Sequence, residues 1–312
     1  MRSVAIVGTG FIGRGWAVCF ARSGWDVRLW DPVDGAAESA RRYIADMLPG
    51  IAAAGLLTGS TEQDVLARIS IASTLTDAVE GAAHVQENAP EDLALKRGLF
   101  RELDGLAAPD AVIASSTSAL LPSAFTDHLP GRARCIVAHP VNPPHLIPLV
   151  ELVPAEWTDE TTTERTEALM TEIGQSPIRL QREIDGFLLN RLQAAILDEA
   201  FRLVAEGYAS TDAIDGCVKD GLAMRWSFMG PFETIDLNAP GGVRDYVERY
   251  HGMFRGMTET MRHSADWAGP VLDRIEMERR EKLSQSELPE RQMWRDRQLM
   301  ALNVHRSTHQ SE

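Results

Sequence analysis

The chain has 312 residues, 44% of them hydrophobic and 24% charged, which is enough apolar material for two domains with cores of their own and excludes a disordered or fibrous protein. A formal net charge of −14, with no dense run of Lys or Arg, argues against an extended nucleic-acid surface. The cysteines Cys19, Cys135 and Cys217 are widely spaced and form no metal-like cluster, which fits a reduced, cytoplasmic setting, and no segment reaches membrane-spanning length.

Residues 4–7 predict a short apolar strand. The glycines and Arg14 that break it at once make it unlike a secretory signal. The fingerprint Gly8-Thr9-Gly10-Phe11-Ile12-Gly13 follows, and residues 15–23 can continue as a helix. Strand, glycine turn and helix together make a dinucleotide cradle, because the glycines admit a tight turn and a close pyrophosphate while the helix start offers free N–H groups. A second strand at 27–30 ends in Asp31, at about the distance where a carboxylate meets an adenine ribose. Asp31 would repel a 2′-phosphate and Pro32 stands where a cation could have sat, so NAD is favoured over NADP.

Helices are predicted at 36–48 and 62–69, joined by a loop at 55–60. A strand at 69–71, a short helix at 77–81 and a strand at 84–87 come next, leading into Asn88-Ala89-Pro90-Glu91. Glu91 and Lys96, near the start of the following helix, could touch the cofactor ribose or the substrate; an acidic first turn and a solvated lysine fit the same pattern. A buried strand at 111–114 runs into Ser115-Ser116-Thr117-Ser118, on the rim where a doubly wound sheet binds its ligands. There Ser118 could bond a substrate oxygen, or the cluster could cap a helix at 120–127.

The stretch 135–154 carries the chemistry. Residues 135–138 predict a strand with His139 at its tip, and 149–153 a second strand with Glu151 on the same face as Leu149 and Val153. A carboxylate on an apolar face needs a partner, and His139 is the natural one: the acid would fix the tautomer and leave the other nitrogen to take a proton. A buried pair that only ties two strands together satisfies the same pattern. A strand at 177–180 then leads through Asp185-Gly186 to a long helix at 187–206, where Asn190 shares a face with Phe187, Ala194, Leu197 and Phe201 and should be buried. The domain boundary is placed there, giving 1–184 as an α/β nucleotide-binding domain and 185–312 as a helical one. Helices are predicted at 211–221, from Pro231, at 244–257 and through 306, with a polar, disordered end at 307–312. Met224, Trp226, Met229, Met257, Trp267 and Trp294 should pack a core or a subunit interface, and Arg225 among apolar neighbours is a candidate anchor for a substrate carboxylate, though a surface arginine on a loop fits the same pattern.

Taken together, GTGFIGRGWA at 8–17, HVQENAPEDLALK at 84–96, SSTSALLPS at 115–123, IVAHPVNPPHLIPLVELVP at 136–154, EIDGFLLNRLQ at 183–193, DGLAMRWSFMGPFET at 220–234 and WRD at 294–296 resemble the 3-hydroxyacyl-CoA dehydrogenase superfamily, closest to its L-gulonate 3-dehydrogenase and λ-crystallin branch. The resemblance implies a Rossmann-type domain followed by an all-helical domain that dimerises. It implies His139 as base, Glu151 as its partner, Ser118 and Asn190 holding the substrate oxygen and the histidine, and Asp31, Glu91, Lys96 and Asn142 touching the cofactor. The implied reaction is NAD-dependent oxidation of a 3-hydroxyl. The crossover 36–72 offers only Arg41, Arg42 and Arg68, too few cations for the phosphates of CoA, which favours a small free acid. L-Gulonate comes first, 3-hydroxybutyrate or a carnitine-like compound next; a short-chain acyl-CoA dehydrogenase and a silent NADH-binding structural protein are the rivals. Arg291 and Arg295 are further residues that could reach a neighbouring subunit's pocket.

Overall fold

A computed structural model describes residues 2–57 and 59–309. The chain divides into two compact units, one made of Met1–Asn190 with Arg295–Glu312, the other of Arg191–Trp294.

The first unit is built on one eight-stranded sheet: β1 (Ser3–Val7), β2 (Asp26–Trp30), β3 (Ile69–Ile71), β4 (His84–Glu87), β5 (Val112–Ser115), β6 (Cys135–Pro140), β7 (Leu149–Val153) and β8 (Ser176–Arg179). The spatial order is β3-β2-β1-β4-β5-β6-β7-β8, parallel throughout except where β6 meets β7. The chain reverses direction across the sheet between β1 and β4, and loops at the carboxyl ends of the strands on either side bound the ligand crevice of such a fold. Alternate residues of each central strand enter different cores. Val4 and Ile6 join one with Val27, Leu29 and Trp16, while Ala5 and Val7 join the other with Val85, Phe100 and Leu103.

The helices of this unit are α1 (Phe11–Arg22), α2 (Ala36–Ala53), α3 (Glu62–Ala67), α4 (Leu75–Val79), α5 (Leu93–Leu106), α6 (Pro122–Thr126) and α7 (Glu160–Glu172). Helix α2 runs five residues past its expected end and through Pro49, because Ile44, Leu48 and Ile51 form one buried face that outweighs the missing N–H. Helix α7 has no counterpart in the sequence reading. Its buried face is Thr162, Thr163, Thr166 and Met170, which reads as polar until the hydroxyls are seen donating to backbone carbonyls, Thr166 to Thr162 at 2.7 Å and Thr162 to Ala133 at 3.0 Å. The hydroxyl cluster at 115–118 does not cap α6, whose cap residue is Leu121 with no side-chain bond.

Helix α8 (Leu189–Ala205) leads into the second unit, which holds α9 (Thr211–Gly216), a π-helical turn (Cys217–Leu222), α10 (Ala223–Trp226), α11 (Pro231–Leu237), α12 (Gly242–Thr260) and α13 (Pro270–Lys282). Phe201 stacks on Trp267 at 4.7 Å, and Thr211 N–H donates to Glu278 at 2.9 Å. Of the Met and Trp residues expected to pack a core or a subunit interface, Met224, Trp226, Met257 and Trp267 are exposed in the single chain.

The last helix, α14 (Leu288–His309), has residues in both compact units. From Arg295 onward it belongs to the first unit, where Met300 packs against the core and Asn303 Nδ2 donates to the Leu146 carbonyl at 2.6 Å. The disordered end expected at 307–312 is helical through 309; residues 310–312 lie outside the described residues. Among the described residues no helix is long and apolar enough to cross a membrane.

Candidate active site

The glycine turn forms one wall of a cavity of about 610 Å³ bounded by Gly8, Thr9, Gly10, Asp31, Pro32 and Val33 on one side and Asn88, Ala89, Pro90, Leu95, Leu99 and Glu102 on the other. Its three glycines differ in what they allow. Gly8 has φ +89° and a Cβ there would sit 2.8 Å from the Asn88 carbonyl; a Cβ on Gly13 would sit 2.1 Å from the Gly8 carbonyl. A Cβ on Gly10 would meet nothing within 4 Å, and α1 begins there with no side chain capping its N–H groups. That combination, close packing behind and open N–H groups in front, fits a dinucleotide pyrophosphate. Phe11 is exposed and Ile12 packs on the core. Asp31 Oδ2 accepts from Thr9 N–H at 2.7 Å and from Thr9 Oγ1 at 3.0 Å, while Oδ1 accepts from Val33 N–H at 3.0 Å and keeps a second lone pair for a ribose hydroxyl.

His139 and Glu151 face each other across the antiparallel β6–β7 pair, in register. His139 Nδ1 lies 2.7 Å from Glu151 Oε2, with the carboxylate fully buried and the imidazole 5% exposed. Glu151 Oε1 accepts the N–H groups of Leu188 at 2.8 Å and Leu189 at 2.9 Å, at the start of α8. Burial opposes the charge on Glu151, but the bonds from His139, Leu189 and Leu188 outweigh it and hold the carboxyl below the usual glutamate range. An ionised Glu151 accepts a hydrogen bond from Nδ1–H, which keeps that proton on Nδ1 and leaves Nε2 as the basic nitrogen.

The comparisons with known proteins fall on this architecture. The sequence profile of the 3-hydroxyacyl-CoA dehydrogenase NAD binding domain matches residues 3–184, and that of the C-terminal domain matches 186–281. The chain belongs to the 3-hydroxyacyl-CoA dehydrogenase family. The rabbit (Oryctolagus cuniculus) family relative named lambda-crystallin is 42% identical over 96% of this chain and 94% of its own. L-carnitine dehydrogenase of a Pseudomonas species is 38% identical over 80% of this chain and 77% of its own. Among solved structures, an NAD+-dependent dismutase described as 5-formyl-3-hydroxy-2-methylpyridine 4-carboxylic acid 5-dehydrogenase superposes with TM-score 0.83 at 28% identity, covering 98% of both chains. Escherichia coli 3-hydroxybutyryl-CoA dehydrogenase superposes with TM-score 0.66 at 29% identity over 76% of this chain and 49% of that one. The chain is thus a member of an NAD-dependent oxidoreductase family, with NAD as its cofactor.

In this dehydrogenase the other expected site residues are placed as follows. Asn190, half-buried rather than sealed on its helix face, donates from Nδ2 to the Ser118 backbone carbonyl at 2.7 Å. The Ser118 side chain is exposed, and Asn142 is exposed in the loop after β6, three residues from His139. Glu91 is tied to the loop after β5, accepting from Thr117 Oγ1, from Ala119 N–H at 3.0 Å and from Leu120 N–H at 3.2 Å. Lys96 is neither solvated nor open to the cavity: it has no exposed surface, and its ammonium meets Glu87 at 2.8 and 2.9 Å and Ser115 Oγ at 3.3 Å. Arg225 is exposed on α10 of the second unit. Arg291 lies over the Trp294 ring, and Arg295 pairs with Asp296 at 2.7 Å.

Sequence reasoning missed Glu87 and Gln86, and named Asn88 and Ser116 only as members of a loop and a hydroxyl cluster. Glu87 also accepts from Ser115 Oγ and Ala89 N–H, both at 2.6 Å, which pins the loop that lines the cavity. A second chain runs from His84 to Gln86, from Gln86 Nε2 to Ser116 Oγ at 2.8 Å, and from Ser116 Oγ to Asn88 at 2.8 Å. The available signal was a four-residue strand, His84–Glu87, with three polar members in a sheet buried on both faces.

Proposed function

We propose that this chain oxidises the 3-hydroxyl of a small free 3-hydroxy acid, with L-gulonate giving 3-dehydro-L-gulonate as the first choice. The observation that carries the reading is the buried His139–Glu151 pair at the end of β6, on the same sheet edge as the glycine cradle. Bound NAD supplies the hydride acceptor. His139 Nε2 takes the hydroxyl proton, and the ionised Glu151 stabilises the imidazolium that forms. The Ser118 hydroxyl and the Asn190 amide hold the substrate oxygen and the imidazole. Asp31, Glu91, Lys96 and Asn142 serve the cofactor side, Lys96 by fixing Glu87 and Ser115 rather than by exposed contact.

The crossover supports a free acid over a CoA ester. Arg41 donates to the Ile69 and Leu66 carbonyls, and Arg68 lies 3.9 Å from Asp26, which leaves that segment poorly supplied with cations for CoA phosphates. Arg225 is our candidate for the carboxylate anchor. The relative named L-carnitine dehydrogenase makes a 3-hydroxy acid with a cationic end the second compound to test. Three free cysteines suit the cytoplasm, and the apolar stripe of α12 suits a homodimer.

Steady-state reduction of NAD and NADP against L-gulonate, 3-hydroxybutyrate, L-carnitine and 3-hydroxybutyryl-CoA tests the reading. The highest kcat/KM is expected for L-gulonate with NAD, abolished in His139→Gln. Preference for the CoA ester would replace the substrate assignment, and tight NADH binding without turnover of any compound would favour a silent structural protein.

A further inference from the structure

One residue packs against the imidazole of the buried pair, immediately precedes the two amides that hold its carboxylate, and has no role in the reading above. Phe187 is the one non-glycine among the described residues with positive φ, at 50°, and it follows Gly186 at φ 73°. L side chains adopt this conformation at a cost in strain, which persists only where the surroundings enforce it. What enforces it here is legible on both sides of the residue. Its side chain is fully buried, with the ring centroid 5.4 Å from that of His139. The two amides that follow it, Leu188 and Leu189, both converge on Glu151 Oε1. An extended or right-handed residue at 187 would send the chain elsewhere and separate ring from amides.

We propose that Phe187 is a positioning residue for the dyad: its left-handed backbone aims two amides at Glu151 while its ring braces the His139 imidazole, so one residue fixes acid and base together. The proposal rests on the assignment of His139 as base. It adds the claim that the orientation of the imidazole is set from the segment preceding α8 as well as from β7. Glu151 faces His139 through one oxygen and the Leu188 and Leu189 amides through the other, so loosening the turn at 187 frees the carboxylate to rotate and the imidazole to exchange its tautomers.

The test reads His139 directly, with no substrate present, by nitrogen NMR of protein labelled with 15N-histidine. The parent is expected to show a single Nδ1-protonated tautomer above neutral pH. Phe187→Ala, which removes the ring and keeps the unfavourable φ, is expected to move His139 toward an even mixture of tautomers and to lower kcat on the order of tenfold to a hundredfold, with NADH affinity unchanged. Phe187→Gly takes the left-handed conformation freely, so it melts higher than Phe187→Ala and keeps the amides on Glu151, yet still loses kcat because the ring is gone. Phe187→Leu, which restores bulk, recovers most of the single tautomer. Parent-like His139 spectra and kcat in both the alanine and glycine variants would overturn the proposal while leaving the dyad intact. A mixture of tautomers already present in the parent would sink the dyad along with it. Failure of L-gulonate as substrate touches neither spectrum.

Discussion

A carboxylate with no access to water persists as an anion only while its lone pairs are met, and Glu151 meets this condition with one imidazole and two amides. Glu151→Gln keeps the shape but presents a donor where an acceptor stood, or turns its oxygen to the imidazole and strands the amides. The first leaves the Nδ1-protonated tautomer without an acceptor and the second offers a neutral one that stabilises the imidazolium less, so kcat should fall at least about a hundredfold with NADH affinity retained. The pH dependence follows from the sign of the shift. The Glu151 carboxyl is held below the ordinary glutamate value of 4.5, so its stabilising contribution is fully present above that pH and is lost as pH falls through the lower folded value. The stability gap between parent and Glu151→Gln, measured by urea unfolding, should therefore be constant near neutrality and close only below roughly pH 4.

At the scale of elements, the glycine turn and the end of β4 are separable. Gly10→Ala puts a methyl into open space, so the fold should tolerate it while NADH affinity, read by fluorescence titration, drops. Gly13→Ala drives a Cβ into the Gly8 carbonyl and should lower both melting temperature and affinity. The Glu87–Lys96 pair is sealed, and breaking one side leaves a buried charge. Lys96→Met should cost about 3–5 kcal/mol in chemical denaturation, and adding Glu87→Gln should recover part of it. Equal losses in the single and double variants would contradict a coupled pair. This element also shows where the sequence was hard to read. A lysine in the first turn of a helix looks solvated in one dimension, and only the folded position of Glu87 at the end of β4 reveals the carboxylate that claims it. Asp31 and the glycines, by contrast, are local features whose spacing alone carries their meaning.

At the scale of the whole molecule, two buried histidines and one bare helix face carry consequences. Burial pushes His84 down to about 4 and His145 down to about 3, so both are neutral when folded and both take up protons on unfolding below 6.5. Stability should hold above that pH and fall as pH drops toward 4, by roughly 1–2 kcal/mol per histidine at pH 5, and His145→Asn should flatten the slope. On α12 the exposed residues Val243, Val247, Tyr250, Phe254 and Met257 recur at helical spacing, an apolar stripe that the single chain does not cover. Sedimentation should give twice the 34.4 kDa of one chain, and Phe254→Arg should shift it toward monomer.

The sequence by itself determined the nucleotide-binding half, because a strand, a glycine turn and an acidic strand end are specified by neighbours within about thirty residues. It also named the His139–Glu151 pair, since a proline-dense loop joins two short strands and brings their ends into register. The tertiary structure alone decided what the remaining polar groups do. Lys96, Glu91 and the hydroxyls at 115–117 are claimed by partners on other strands and loops, α7 hides its core face behind threonines, and the last helix returns to the first unit. The physical reason is common to all of these: burial of a polar group is decided by which distant atom satisfies it, and pattern along a chain does not record that atom.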